Sequence, residues 1–104
     1  MSRIQLGSES AFQEGAVRVV EVSGRRIAIG RVQGNLYAFD DICTHDNGPL
    51  GQGVLDGYEV ECPRHGARFD IRDGRALCLP AIRGIRTYRV VVDNGEAFLE
   101  GVEG

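Results

Sequence analysis

No stretch of this 104-residue chain carries apolar residues at a sustained 3.6-residue spacing. A packed amphipathic helix needs that spacing, so the chain is confined to short extended elements. Runs of β-branched and aromatic residues occur instead, each cut off by turn-forming residues. Val17–Val22 reads V-R-V-V-E-V and stops at Ser23-Gly24. Residues 27–32 read I-A-I-G-R-V and stop at Gln33-Gly34-Asn35, and residues 36–39 read L-Y-A-F. The same grammar returns at 85–92, I-R-T-Y-R-V-V-V, followed by Asp93-Asn94-Gly95 and a short run at 97–99. Such runs are strand signals, and Asn-Gly between two of them signals a tight hairpin. The best helical candidate, 9–14 after Ser8 as N-cap, amounts to a turn or two. The expected fold class is all-β, a small antiparallel sandwich or barrel.

A chain of this length holds one core, so 1–104 reads as a single domain. The strand-like runs lie in 1–39 and 83–104 and form a base. The segment between them, 40–82, has no long strand pattern, yet it holds all three cysteines, both histidines and all three prolines. It reads as a loop-rich insert that carries the polar chemistry.

Composition removes several functions. The net charge is −3, which argues against nucleic acid as a partner, because phosphate binding needs a basic surface. All twelve basic residues are arginine, so a lysine-dependent phosphate loop and a Schiff base are excluded. The longest aliphatic run, 90–92, is far too short to span a bilayer, and the first residues lack a signal-peptide core. A cytoplasmic protein with no membrane partner is expected. Three cysteines suit a metal site better than a disulfide framework.

Cys43-Thr44-His45 and Cys62-Pro63-Arg64-His65 give the pattern C-x-H-x16-C-x2-H. Both imidazoles of the chain thus stand within three residues of a thiol. Two ligands on one tight loop bind a metal at little extra ordering cost. Tetrahedral zinc is one reading, although zinc fingers place a late histidine pair on a helix, which is missing here. A [2Fe–2S] cluster with two thiolates on one iron and two imidazoles on the other is the second.

On these residues the chain resembles the Rieske family. The likeness runs through C-T-H-D-N-G-P-L (Cys43 to Leu50), E-C-P-R-H-G-A-R-F-D (Glu61 to Asp70) and, more loosely, D-G-R-A-L-C-L-P-A (Asp73 to Ala81). The resemblance implies a Rieske fold, with an antiparallel base and a cluster-binding insert at 40–82. It implies that Cys43 and Cys62 ligate the inner iron, and that His45 and His65 ligate the outer one. The formal charge of such a cluster is zero when oxidised and −1 when reduced, and the added electron belongs on the imidazole-bound iron.

The respiratory branch of that family ties its cluster loops with a disulfide. The matching positions here are Gly48 and Arg64, so that bond cannot form. The hydroxyls which that branch directs toward sulfur correspond to Ala67 and Phe69. Without those hydrogen bonds the potential is expected near the low end of the range, about −150 mV. The resemblance therefore points to a low-potential ferredoxin, a monomeric one-electron carrier between a flavin reductase and a terminal oxygenase. A small subunit of a larger reductase, such as nitrite reductase, and a structural zinc or iron–sulfur module are the alternatives. No residue remains for catalysis, so the chain is expected not to be an enzyme. Cys78 is left over and reads as a small buried apolar residue. Gly66 reads as a glycine needed beside the cluster, Pro80 as part of a covering third loop, and Arg64 and Arg68 as solvated surface charge.

Overall fold

A computed structural model describes residues 3–42, 49–63, 66–79 and 83–101. Nine strands and one short 3-10 turn are found there: β1 (Arg3–Ser8), the turn (Glu9–Ala11), β2 (Val17–Val22), β3 (Arg25–Val32), β4 (Asn35–Asp40), β5 (Val54–Asp56), β6 (Glu59–Glu61), β7 (Arg68–Asp70), β8 (Thr87–Asp93) and β9 (Glu96–Glu100). The all-β expectation is met. Six strands form one antiparallel sheet in the order β1-β9-β8-β4-β3-β2, and β5-β6-β7 form a second, three-stranded sheet.

Three hairpins share one turn geometry. Val22 pairs with Arg25, Val32 with Asn35 and Asp93 with Glu96, leaving two residues in each loop. Both loop residues have positive φ in each case, for example Asn94 at 56° and Gly95 at 81°. This mirror-image turn matches the twist of the flanking strands, and it favours asparagine and glycine because other side chains resist that backbone region. The carboxylate of Glu14 braces the β3–β4 turn by accepting the N–H groups of Gln33 at 2.6 Å and Gly34 at 2.9 Å.

Burial explains why β3 and β4 read as nearly continuous apolar runs. Ile27, Ile29, Leu36 and Ala38 point into one core, shared with Phe12, Val22, Tyr88, Ala97 and Leu99. Ile4 and Leu6 of β1 and Val20 of β2 pack against that same core. All six strands thus contribute to one interior, so the sheet curls on itself. Ala28, Val32 and Phe39 face the other way, into a second core with Leu50, Val60, Cys62, Ala67, Phe69, Ile71 and Ile85. The small sheet covers this outer face of β3 and β4.

Three features depart from the sequence reading. β1 is a strand whose apolar positions are few and whose register shifts between Gln5 and Gly7, so its alternation is broken. In the segment 40–82, three strands of three residues each are present. A run that short shows no period, and these strands form because β6 has a partner on both sides. The turn at Glu9–Ala11 lacks the Ser8 side-chain cap; the Ser8 hydroxyl lies 2.9 Å from that of Ser10 instead.

Candidate metal centre

Cys62 follows the last residue of β6, and Arg68 opens β7. The intervening loop is closed at its base by backbone bonds: the Cys62 N–H donates to the Ala67 carbonyl at 2.7 Å, and the Gly66 N–H donates to the Cys62 carbonyl at 3.1 Å. Cys62 is 1% exposed and takes part in no disulfide. A hairpin loop with a fixed neck presents its first residue in a reproducible place, which suits a metal ligand. Of the four ligands expected from the sequence, Cys62 is the one that lies among the described residues. Cys43, His45 and His65 lie outside them, as do Gly48, Arg64 and Pro80.

The loop that carries Cys43 and His45 leaves the end of β4. Asp41 marks its start. The Asp41 carboxylate accepts the Arg26 Nε–H at 3.0 Å through one oxygen and the Gly51 N–H through the other. Its side chain is 0% exposed. Beyond Gly51 the Gly53 N–H donates to the Leu50 carbonyl at 2.9 Å. Gly53 then lies against the backbone of Glu61: a Cβ added there would overlap the Glu61 carbonyl. That close approach sets the end of the first loop directly against the strand that leads into the second. No cysteine pair stands at 48 and 64, and this glycine contact with the Val54–Glu61 pairing joins the two regions without a covalent bond.

The third segment joins from the other side. The Leu77 N–H donates to the Arg68 carbonyl at 2.8 Å, and the Cys78 thiol lies 3.7 Å from the Gly66 carbonyl. Cys78 is exposed, contrary to the expectation of a small buried residue. It sits on the rim beside the Cys62–Ala67 hairpin, where no core covers it. Ile42, Leu77 and Leu79 are also exposed on the segments that enter these loops.

Arg68 is not the solvated surface charge expected of it. Its guanidinium meets Glu61 at 2.7 Å, Glu59 at 3.3 Å and Asp56 at 3.5 Å. The hydrogen bond to Glu59, followed by the charge of Glu61, holds its pKa above the usual arginine value. At the other end of β7 the Asp70 carboxylate takes both Arg72 Nε at 3.1 Å and Nη2 at 2.8 Å. The Arg72 side-chain hydrogen bond holds the Asp70 carboxyl below its ordinary range. Arg72 in turn lies 4.1 Å over the ring of Tyr58, which meets Tyr37 of β4 edge-to-face at 5.7 Å. This chain of contacts fastens the small sheet to the large one.

The arrangement fits the expected group. A buried thiol outside any disulfide stands at the closed neck of one loop, and the sequence places a second thiol and two imidazoles on this loop and its neighbour. Soft thiolates with imidazoles suit iron–sulfur or zinc. Ala67 and Phe69 are fully buried, and neither carries a hydroxyl to offer to sulfur. Gly66 has φ +76°, and among the described residues a Cβ there would meet the Glu61 carboxylate at an ordinary 3.8 Å, so backbone conformation accounts for glycine there. Sequence reasoning missed Asp41 and Gly53. Both resemble ordinary turn residues in the sequence, and only their distant partners give them a role.

Comparison with known proteins separates the two metals. The family model described as Rieske [2Fe-2S] domain matches residues 2–89. The ferredoxin component of the naphthalene 1,2-dioxygenase/salicylate 5-hydroxylase systems of a Ralstonia species is 44% identical over 87 residues, covering 84% of each chain. The ferredoxin of carbazole 1,9a-dioxygenase from Nocardioides aromaticivorans IC177 superimposes with a TM-score of 0.91 at 30% identity, over 95% of this chain and 97% of that one. A ferredoxin structure in the complex of reduced oxygenase and oxidised ferredoxin of carbazole 1,9a-dioxygenase gives 0.88 at 33% identity, over 93% of this chain and 91% of that one.

Proposed function

The chain belongs to the Rieske [2Fe-2S] family, and on that premise we propose that it carries single electrons from a flavin-dependent reductase to the terminal oxygenase of an aromatic-ring dioxygenase system. It is a cytoplasmic monomer in this reading, one Rieske unit over 1–104 whose cluster-binding part is 40–82. The observation that carries the proposal is the 44% identity to a dioxygenase ferredoxin that extends over most of both chains. That likeness favours a free carrier over a reductase subunit or a structural zinc module. Among the described residues no helix is long and apolar enough to cross a membrane.

The bound cluster supplies one reversible one-electron step. The residues of the chain hold and expose it. Cys43 and Cys62 are the thiolate ligands, and His45 and His65 are the imidazole ligands. The described necks, Asp41 to Gly51 and Cys62 to Ala67, shorten the stretch of chain that must be ordered when the metal binds, which lowers the cost of binding. Exposed Ile42, Leu77 and Leu79 flank the ligand loops and give a partner an apolar rim to cover. The tip bearing His45, His65 and Pro80 is the docking face, because electron transfer needs the histidine edge near the acceptor.

Visible absorption and electron paramagnetic resonance of the purified protein test the reading. A coloured protein with a rhombic signal on reduction, of lower average g than an all-cysteine cluster, is expected. Film voltammetry should give a potential near about −150 mV, and His65→Cys should lower it or abolish the cluster. A colourless protein with one equivalent of zinc would overturn the proposal.

A further inference from the structure

We propose that Asp41 is a positioning residue for the cluster: its buried carboxylate closes the neck of the first ligand loop and thereby places Cys43 and His45. The inference rests on the ligand reading above. A buried carboxylate is costly unless it is paired and hydrogen-bonded. Here both oxygens are used, and they face different parts of the chain. One accepts the Arg26 Nε–H on β3 at 3.0 Å, and the other accepts the Gly51 N–H ten residues further along the chain. The Asp41 N–H donates to the Arg26 carbonyl at 3.1 Å, so the residue itself is tied to the strand.

The two ligand loops solve one problem in two ways. The second loop is closed by backbone pairs between Cys62 and the segment Gly66-Ala67. Among the described residues, the neck of the first loop is bridged by the Asp41 carboxylate and by no backbone pair. Closing a loop of this length is entropically unfavourable, and a fixed neck removes part of that cost from ligand binding. Gly51 supports the same conclusion from the opposite side. A Cβ there would overlap Val19 Cγ2 and come within 2.8 Å of an Asp41 carboxylate oxygen, so the absence of a side chain lets this backbone sit between the strand and the carboxylate. Asp70 offers an internal comparison. It is also buried and paired with an arginine, but its partners lie two residues away at Arg72, and it spans no ligand loop.

The test compares holoprotein variants Asp41→Ala, Asp41→Asn, Arg26→Gln and Asp70→Asn. Cluster release to an iron chelator, the g-values of the reduced protein and the melting temperature of the strand signal are measured. Asp41→Ala should release its cluster about tenfold to a hundredfold faster and shift the g-values. Asp41→Asn keeps an oxygen for the Gly51 N–H and should recover most of both. Asp70→Asn should lower the melting temperature while leaving release and g-values near the parent, and Arg26→Gln, which removes one partner of the Asp41 carboxylate, should speed release by less than Asp41→Ala does. Should Asp41→Ala not fold, Asp41→Leu fills the buried site without an acceptor and carries the same two outcomes. Parental release and g-values in the Ala or Leu variant would overturn the inference, as would an equal spectroscopic change in Asp70→Asn. A parent protein without a cluster would instead sink the ligand reading.

Discussion

The large sheet and the small one both pack on apolar cores, but their strands are fixed in place differently. β2 and β3 pair over six residues each, as do β3 and β4, and β8 and β9 pair over five. These long ladders enclose an apolar core, and many interchangeable contacts share the load. In the small sheet each strand is three residues long. Its order depends on single placed groups: Arg68 among three carboxylates, Asp70 with Arg72, Gly53 against Glu61 and Asp41 at the loop neck. The difference suits a protein that must hold a metal group near its surface. The regular sheet supplies stability, and the irregular region supplies positions.

The largest expected effect tests whether the two regions unfold as one. Phe39 is fully buried on β4 in the core beneath the small sheet. Phe39→Ala should cost about 3–5 kcal/mol in urea unfolding. A single transition that moves as a whole would show the regions to be one cooperative unit; two transitions would show that the small sheet melts first. A middle effect comes from Gly53→Ala. The obstructing atom is a backbone carbonyl, which cannot swing aside, so about 1–3 kcal/mol of strain is expected. Hydrogen exchange should speed up in β5 and β6 and remain slow in β3 and β4. Uniform acceleration would count against a locally organised small sheet.

The smallest effect is read through pH. Asp70 has its pKa held below the usual 3.8 by the Arg72 hydrogen bond. The folded state therefore gains stability from the ionised form above that value and loses it as pH falls through the lowered one. Asp70→Asn should be less stable than the parent at neutral pH, and the gap should close on the acid side of 3.8. A gap that is constant down to strongly acid conditions would show that the ion pair contributes nothing specific.

Much of the large sheet was legible in the sequence. In β2, β3 and β4, strands of six to eight residues, apolar residues alternate or follow one another in short runs, and two-residue turns mark the ends. The run at 85–92 was read a little too early: Ile85 is used instead to bond the Gly74 carbonyl at 2.8 Å, and β8 starts at Thr87. The paired Cys–His spacing was equally visible, since residue type and spacing are local properties. The strands of the small sheet were not, because three residues display no period. Cys78 and Arg68 were misjudged for a related reason. Exposure and ion pairing depend on which chain segment arrives opposite, and neither residue carries a mark of that in its neighbours.

The sequence by itself determined the strand-and-turn plan of the large sheet, the all-β class and the paired Cys–His motifs, because periodicity, turn chemistry and ligand type act over a few residues. Only the tertiary structure decided that Asp41 reaches Gly51, that Gly53 must lack a side chain and that Arg68 gathers three carboxylates. Those contacts join residues brought together by the curl of one sheet and the docking of another. Such encounters are set by the packing of whole surfaces, which no short window of sequence contains.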